Sequence, residues 1–170
     1  MASCSVLSIM PMERFYPPAP ELQVAEWLNA PADITLTSLR GRVVLLHAFQ
    51  MLCPACVSHG VPQAQRAWET FGQRDVVVLG LHTVFENHAA MHPGALRIFV
   101  QQNKLGFPVG IDSPRPAESI PATMHAYQLQ GTPSTVLIDA RGRIRLHHLG
   151  YIDDLRLGML IGRLVAEIEV

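Results

Sequence analysis

The sequence predicts an α/β domain, a central mixed β-sheet flanked by helices on both faces and preceded by an N-terminal extension. Three observations carry this prediction. The stretch Val43-Val44-Leu45-Leu46-His47-Ala48-Phe49-Gln50-Met51-Leu52 and the run at residues 76–82 are continuous and apolar, as strands covered on both faces of a parallel sheet are. Between them Val57, Val61, Ala64, Trp68 and Phe71 recur at alternating four- and three-residue steps, the apolar stripe of an amphipathic helix. Near the end, residues 135–139 and 143–150 flank Ala140-Arg141-Gly142 as an antiparallel hairpin, which a last helix follows.

In chain order, Pro11, Pro17, Pro18 and Pro20 make residues 11–20 an extended lead-in that wraps the surface. Residues 22–28 form a short strand or turn anchored by Trp27, and Asn29, Pro31 and Asp33 break the pattern, so the extension is placed at 1–32 and the domain at 33–170. Alternation at Ile34-Thr35-Leu36-Thr37 predicts a hairpin-like entry to the first buried run. After the first helix, Gln73-Arg74-Asp75 leads into the second run, and strand, helix and strand form a parallel unit. The ends of both strands then share one edge, which brings His82 to the edge of Cys53. Residues 83–94 are a loop holding His88, His92 and Pro93, and residues 95–103 a helix with Leu96, Phe99 and Val100 on one face, ended by Gly106. A short strand at 107–112 and a short helix at about 119–127 lead to Gly131-Thr132-Pro133. From Asp153 to about Ile168 a packing helix places Leu157, Leu160, Ile161, Leu164 and Ile168 on one face, with Asp153 and Asp154 at its start.

Composition narrows the function. The chain has 170 residues, enough for one domain with its own core, a formal net charge of -1 and 16% charged residues. No basic run occurs, which argues against nucleic acid as a partner. The N-terminal apolar patch is about five residues long with no basic start, short of the roughly 7 to 15 apolar residues of a signal peptide. No run reaches the roughly 20 apolar residues of a membrane span. A cytoplasmic protein without a membrane partner is the expectation. The three cysteines, Cys4, Cys53 and Cys56, are too few and too odd in number for a disulfide framework. Cys4 reads as a free thiol in a mobile terminus.

Cys53 stands where a buried strand ends and a helix begins. Pro54 suits the first helical position, where its missing amide hydrogen has no partner to lose. Free amide hydrogens and aligned peptide dipoles at that end favour negative charge, hence the reactive thiolate at Cys53. Cys56, one turn on, is near enough to close a disulfide yet directed under the helix. Cys53 is the expected nucleophile and Cys56 the resolving thiol, with no bound cofactor and no metal.

A Cys53-Pro54-Ala55-Cys56 turn after a buried strand, Gly131-Thr132-Pro133 about eighty residues later, and a final hairpin plus helix together resemble the thioredoxin-like superfamily. The likeness is to its TlpA/ResA-like and AhpC/TSA-related redoxins and covers roughly residues 33 to 169. It implies a thioredoxin fold and a thiol-disulfide oxidoreductase acting on protein or small-molecule disulfides and thiols. It also implies Pro133 in a cis peptide bond opposite the cysteines, with Thr132, Pro133 and Leu52 as the docking edge for substrate. Two departures stand out. Leu52 occupies the place where the family usually has Trp, keeping an apolar surface without the aromatic ring. His47, six residues before Cys53, stands where relatives carry a buried Asp or Asn. It is either a proton acceptor for Cys56 or a core histidine bonded to a backbone carbonyl. His47, Pro54 and His82 are expected beside the cysteines without touching substrate.

Two alternatives use the same residues. A peroxiredoxin-like thiol peroxidase requires Pro-x-x-x-Thr-x-x-Cys, and here those positions are Leu46 and Gln50. A Sco-like metal site is suggested by the spacing of Cys53, Cys56 and His59, but a closed zinc site takes about four ligands and no second pair is present. His88, His92, His147 and His148 read as solvated surface side chains. The oligomeric state is not legible.

Overall fold

The computed structural model describes residues 15–168 apart from 32, 72 and 73. Cys4, Pro11 and Gln73, named above, lie outside the described residues. Six strands, β1 (Val24–Leu28), β2 (Val43–Phe49), β3 (Val76–His82), β4 (Val109–Asp112), β5 (Ser134–Ile138) and β6 (Ile144–Leu149), form one sheet in the order β1-β4-β3-β2-β5-β6. The helices are α1 (Val61–Phe71), α2 (Pro93–Gln102), α3 (Ala122–Ala126) and α4 (Asp154–Ala166). β2 and β3 are parallel and in register from Val43 with Val76 to Phe49 with His82. β5 runs antiparallel to β2, and β3 is parallel to β4.

The all-apolar character of β2 follows from its central place, since all seven of its residues are buried. Alternate side chains face two cores. Val43, Leu45 and Phe49 pack with α1, α2 and α4, whereas Val44, Leu46 and Ala48 pack with Leu36, Leu39, Met124 and Tyr127. Helices thus cover both faces, but the three longest share one. Asp112, at the end of β4, accepts hydrogen bonds from the Thr123 and Met124 amides at 2.7 and 2.9 Å, satisfying amides at the buried start of α3 that have no partner within the helix. Asp153 does the same for α4, accepting from the amides of Leu155 and Arg156.

The structure departs from the sequence reading at several points, each for a local reason. Val24–Leu28 pairs antiparallel with β4, so the sheet begins inside the segment assigned to the extension. Residues 34–37 form no strand; Thr37–Leu39 is a 3-10 turn that buries Leu36 and Leu39, three residues apart on one side. That three-residue spacing suits a threefold turn and overrides the alternation at residues 34–37. α2 starts at Pro93 because the His92 ring nitrogen Nδ1 accepts from the Ala95 amide at 3.3 Å. It ends at Gln102, before Gly106. Gly106 instead makes room for an indole, as a Cβ there would lie 2.4 Å from Trp68 Cζ3.

The lead-in segment touches the far edge of the sheet. The Ile144 amide donates to the Pro17 carbonyl and the Ala19 amide to the Gly142 carbonyl, both at 2.9 Å. The Arg145 guanidinium lies 4.2 Å from the centroid of the Tyr16 ring.

Candidate active site

Cys53 follows β2 at the carboxyl edge of the parallel strands, held by a hydrogen bond from its amide to the Gln50 carbonyl at 3.1 Å. The next segment is helical, but Cys56–Gly60 is a π-helical turn before α1 begins. The wider turn shifts the helix phase. Cys56 and Gly60 therefore face the sheet, while Val57, assigned to the buried stripe by its spacing, is 38% exposed.

The two thiols are free and differ in exposure: Cys53 is partly exposed and Cys56 buried. The Cys56 amide donates to Cys53 Sγ at 3.4 Å, a contact that strengthens when the sulfur is negative. Cys53 Sγ donates in turn to the Thr132 carbonyl at 3.6 Å. Thr132 precedes a cis bond to Pro133, and Pro133 accepts from the Gly150 amide through its carbonyl at 2.8 Å. Leu52, beside Cys53, is 57% exposed. Thus Leu52, Cys53 and Thr132 share one accessible edge, with Cys56 beneath.

Burial pushes the Cys56 thiol up to about 12, helped by its hydrogen bond with Cys53; hydrogen bonds with the Gln50 backbone and the Thr132 side chain act the other way. His47 lies below the same helix, its ring stacked on Phe49 at 6.1 Å between centroids. Complete burial pulls it down to about 4. Both displacements oppose a proton passing from Cys56 to His47 in the resting dithiol. Nor is the bond to a backbone carbonyl made at His47 Nε2, which has no partner among the described residues. His82, in register with Phe49, is buried too, and burial pulls it down to about 4.

The sequence reading missed Gly60. A Cβ there would sit 2.5 Å from His47 Cε1, 2.6 Å from His47 Nε2 and 3.2 Å from Pro133 Cβ. A glycine four residues after Cys56, inside a helical pattern, was the available signal. Gly60→Ala is expected to destabilise the protein by about 1–3 kcal/mol, because a Cβ there would force the buried His47 ring to shift within a packed core. Urea denaturation checks this, and an unchanged midpoint would refute it. Pro54 is exposed at the start of the helical segment. His59 turns away from the cysteines: its Nδ1 lies 2.7 Å from Ser58 Oγ, and its ring meets Tyr151 edge-on at 5.7 Å. Among the described residues, no three His, Cys, Asp or Glu side chains are grouped to hold a metal ion. His88, His92 and His147 are exposed and His148 is half-buried, its Nε2 2.9 Å from the Tyr151 carbonyl.

Residues 17–147 match the model of the AhpC/TSA family. The chain is 50% identical to a thioredoxin-like superfamily protein of known crystal structure, with a TM-score of 0.86 over 88% of this chain and 96% of that one. It is 48% identical to a thiol-disulfide isomerase from Corynebacterium glutamicum, with a TM-score of 0.85 and the same 88% and 96% coverage. Protein DipZ from Mycobacterium bovis and from Mycobacterium tuberculosis is 29% identical over 130 residues, which is 75% of this chain. This chain spans 18% of the length of those two curated relatives.

Proposed function

Since this chain belongs to the AhpC/TSA family and is a thioredoxin-like redoxin, we propose that it exchanges disulfides with Cys53 as nucleophile and Cys56 as resolving thiol. The observation that carries the reading is the unequal pair: one thiol accessible and aimed at the Thr132 edge, the other buried directly behind it.

The Cys53 thiolate attacks one sulfur of a substrate disulfide, that S–S bond breaks, and the first substrate thiolate leaves and takes a proton from water. Cys53 is then in a mixed disulfide. This removes the negative neighbour whose hydrogen bond and charge add to burial in holding Cys56 protonated. The Gln50 backbone and Thr132 side chain remain to stabilise the Cys56 thiolate. Cys56 attacks Cys53 Sγ, closes the intramolecular disulfide and releases the second substrate thiol. Two electrons pass from the dithiol to the substrate; run backwards, the cycle donates a disulfide. The exposed Leu52 and the Thr132–Pro133 edge fit the docking of the substrate chain or arm.

Equilibration of the protein against graded dithiol buffers tests the reading. A reversible two-electron transition is expected. A potential near about -270 mV marks a reductant suited to the cytoplasm, the placement that belongs to this proposal, and one near about -120 mV a donor of disulfides. A protein whose Cys53 and Cys56 show no reversible transition would overturn the assignment.

A further inference from the structure

The carboxyl ends of β3 and β4 open onto a cavity of about 290 Å³ that neither cysteine lines. Its walls are mostly apolar, with Val84, Met91, Ile111 and Pro121 among them. The charges on those walls are already answered. Asp112 receives the Thr123 and Met124 amides. Arg115 Nη2 donates to Glu118 Oε1 at 2.7 Å, and Nη1 lies 2.6 Å from Oε2, close in charge though not aligned as a hydrogen bond. At the rim, His92 Nδ1 is occupied as an acceptor for the Ala95 amide. A charged ligand would find no free counter-charge among these groups.

Two polar atoms of the lining residues are left without a hydrogen-bond partner, Arg115 Nη1, whose charge Glu118 answers, and a ring nitrogen of His82. His82 is 2% exposed and lines the cavity, and its Nε2 has no hydrogen-bond partner among the described residues. Depending on tautomer this nitrogen donates or accepts, and leaving it unanswered in a buried place is unfavourable. A ligand bringing one hydrogen-bonding atom to the floor of the cavity would relieve that. The volume is roughly twice the 150 Å³ that accommodates benzene, so a single aromatic ring with its linker fits. The strands β2, β3 and β4 are neighbours, and Cys53 follows β2, so the cavity lies one to two strand spacings, roughly 5–10 Å, along the same edge.

We propose that this cavity binds the aromatic arm of a small uncharged organic disulfide, the ring's polar atom meeting His82 Nε2 while the disulfide reaches Cys53. The inference rests on the oxidoreductase reading above. Cys53 Sγ bonds to one substrate sulfur as the S–S bond breaks, and closure by Cys56 releases the second. The two electrons come from the reduced protein, and two aryl thiols leave.

Single-turnover reduction by the reduced protein is measured with 4,4′-dithiodipyridine, whose ring nitrogen suits His82, and with bis(2-hydroxyethyl) disulfide, which has no arm. Val84→Trp from the wall and Ser119→Trp from the rim fill the cavity without touching Cys53. Each is expected to lower the second-order rate for the aromatic disulfide about tenfold or more, with the armless one within about twofold. Calorimetric titration with 4-(methylthio)pyridine, the non-reducible arm, reads binding separately; saturable binding to the wild type, weakened in both variants, is expected. If the wild type reduces both disulfides but shows no saturable binding, or if the variants keep the aromatic preference, the cavity assignment is wrong. If the wild type reduces neither disulfide, the oxidoreductase reading itself fails.

Discussion

Cys53→Ser is expected to abolish disulfide reduction, lowering the rate by about three orders of magnitude or more, as loss of a nucleophile does. Cys56→Ser is expected to behave differently. Cys53 remains accessible, with the amide of residue 56 still donating to its sulfur, so attack proceeds and the product is a stable mixed disulfide. The contrast arises from placement, since a buried thiol held protonated by its surroundings cannot make the first attack. Mass spectrometry after one equivalent of a small disulfide reads both variants. Equal labelling of the two would refute the division of roles.

Acid is expected to destabilise the protein between about pH 6.5 and 4, ahead of the general titration of its carboxylates. Burial holds His47 and His82 at about 4 in the folded chain, against an ordinary value of 6.5 when unfolded. Between those limits the unfolded chain binds up to two more protons than the folded one, so stability falls as pH falls through this window. At its steepest the loss is about 3 kcal/mol per pH unit for the pair, large against the roughly 5–15 kcal/mol that holds a domain together. Asp112 works in the opposite sense, since burial raises its carboxyl and a protonated form suits the folded state. Asp139 and Asp154 reinforce the loss at lower pH: hydrogen bonds with Arg143 and Arg145 outweigh burial at Asp139, and the Gln63 hydrogen bond leads at Asp154, so both are held below the ordinary carboxylate range. Urea midpoints at pH 7.5 and 5.0 measure the effect, and His47→Asn is expected to halve the slope. A midpoint that does not move between these pH values would show that the two rings are not kept neutral by the fold.

The strands β2 and β3 were legible because continuous apolar runs of this length have few other uses, and the last helix because its apolar faces repeat every three or four residues. Cys53 and Cys56 were legible through a local motif. What the chain concealed depends on contacts between distant segments. The π-helical turn at Cys56–Gly60 widens the helix without changing residue type, so the spacing that placed Val57 inward had no sign of the shift. β1 looked like part of a lead-in because its partner, β4, lies some eighty residues further on. Gly106 carried a plausible helix-ending signal, yet the Trp68 ring determines it. Gln63 sits within a helical pattern as an ordinary polar residue, but it is buried and donates to the Ile152 carbonyl at 2.7 Å, tying α1 to the approach to α4. The cavity beneath His82 was out of reach for the same reason, being assembled from the loops after β3 and β4.

The lead-in at Pro17, Pro18 and Ala19 also has a bearing on behaviour at high concentration. An outermost strand exposes backbone groups on which another molecule can extend the ladder, the usual start of aggregation. Here the first residue of β6 and the turn before it spend those groups on the chain's own lead-in, through Ile144 to Pro17 and Gly142 to Ala19. The segment that becomes outermost in turn carries prolines at 17, 18 and 20, which have no amide hydrogen to offer a newcomer. Growth at the start of β6 is therefore blocked twice, once by occupation and once by chemistry.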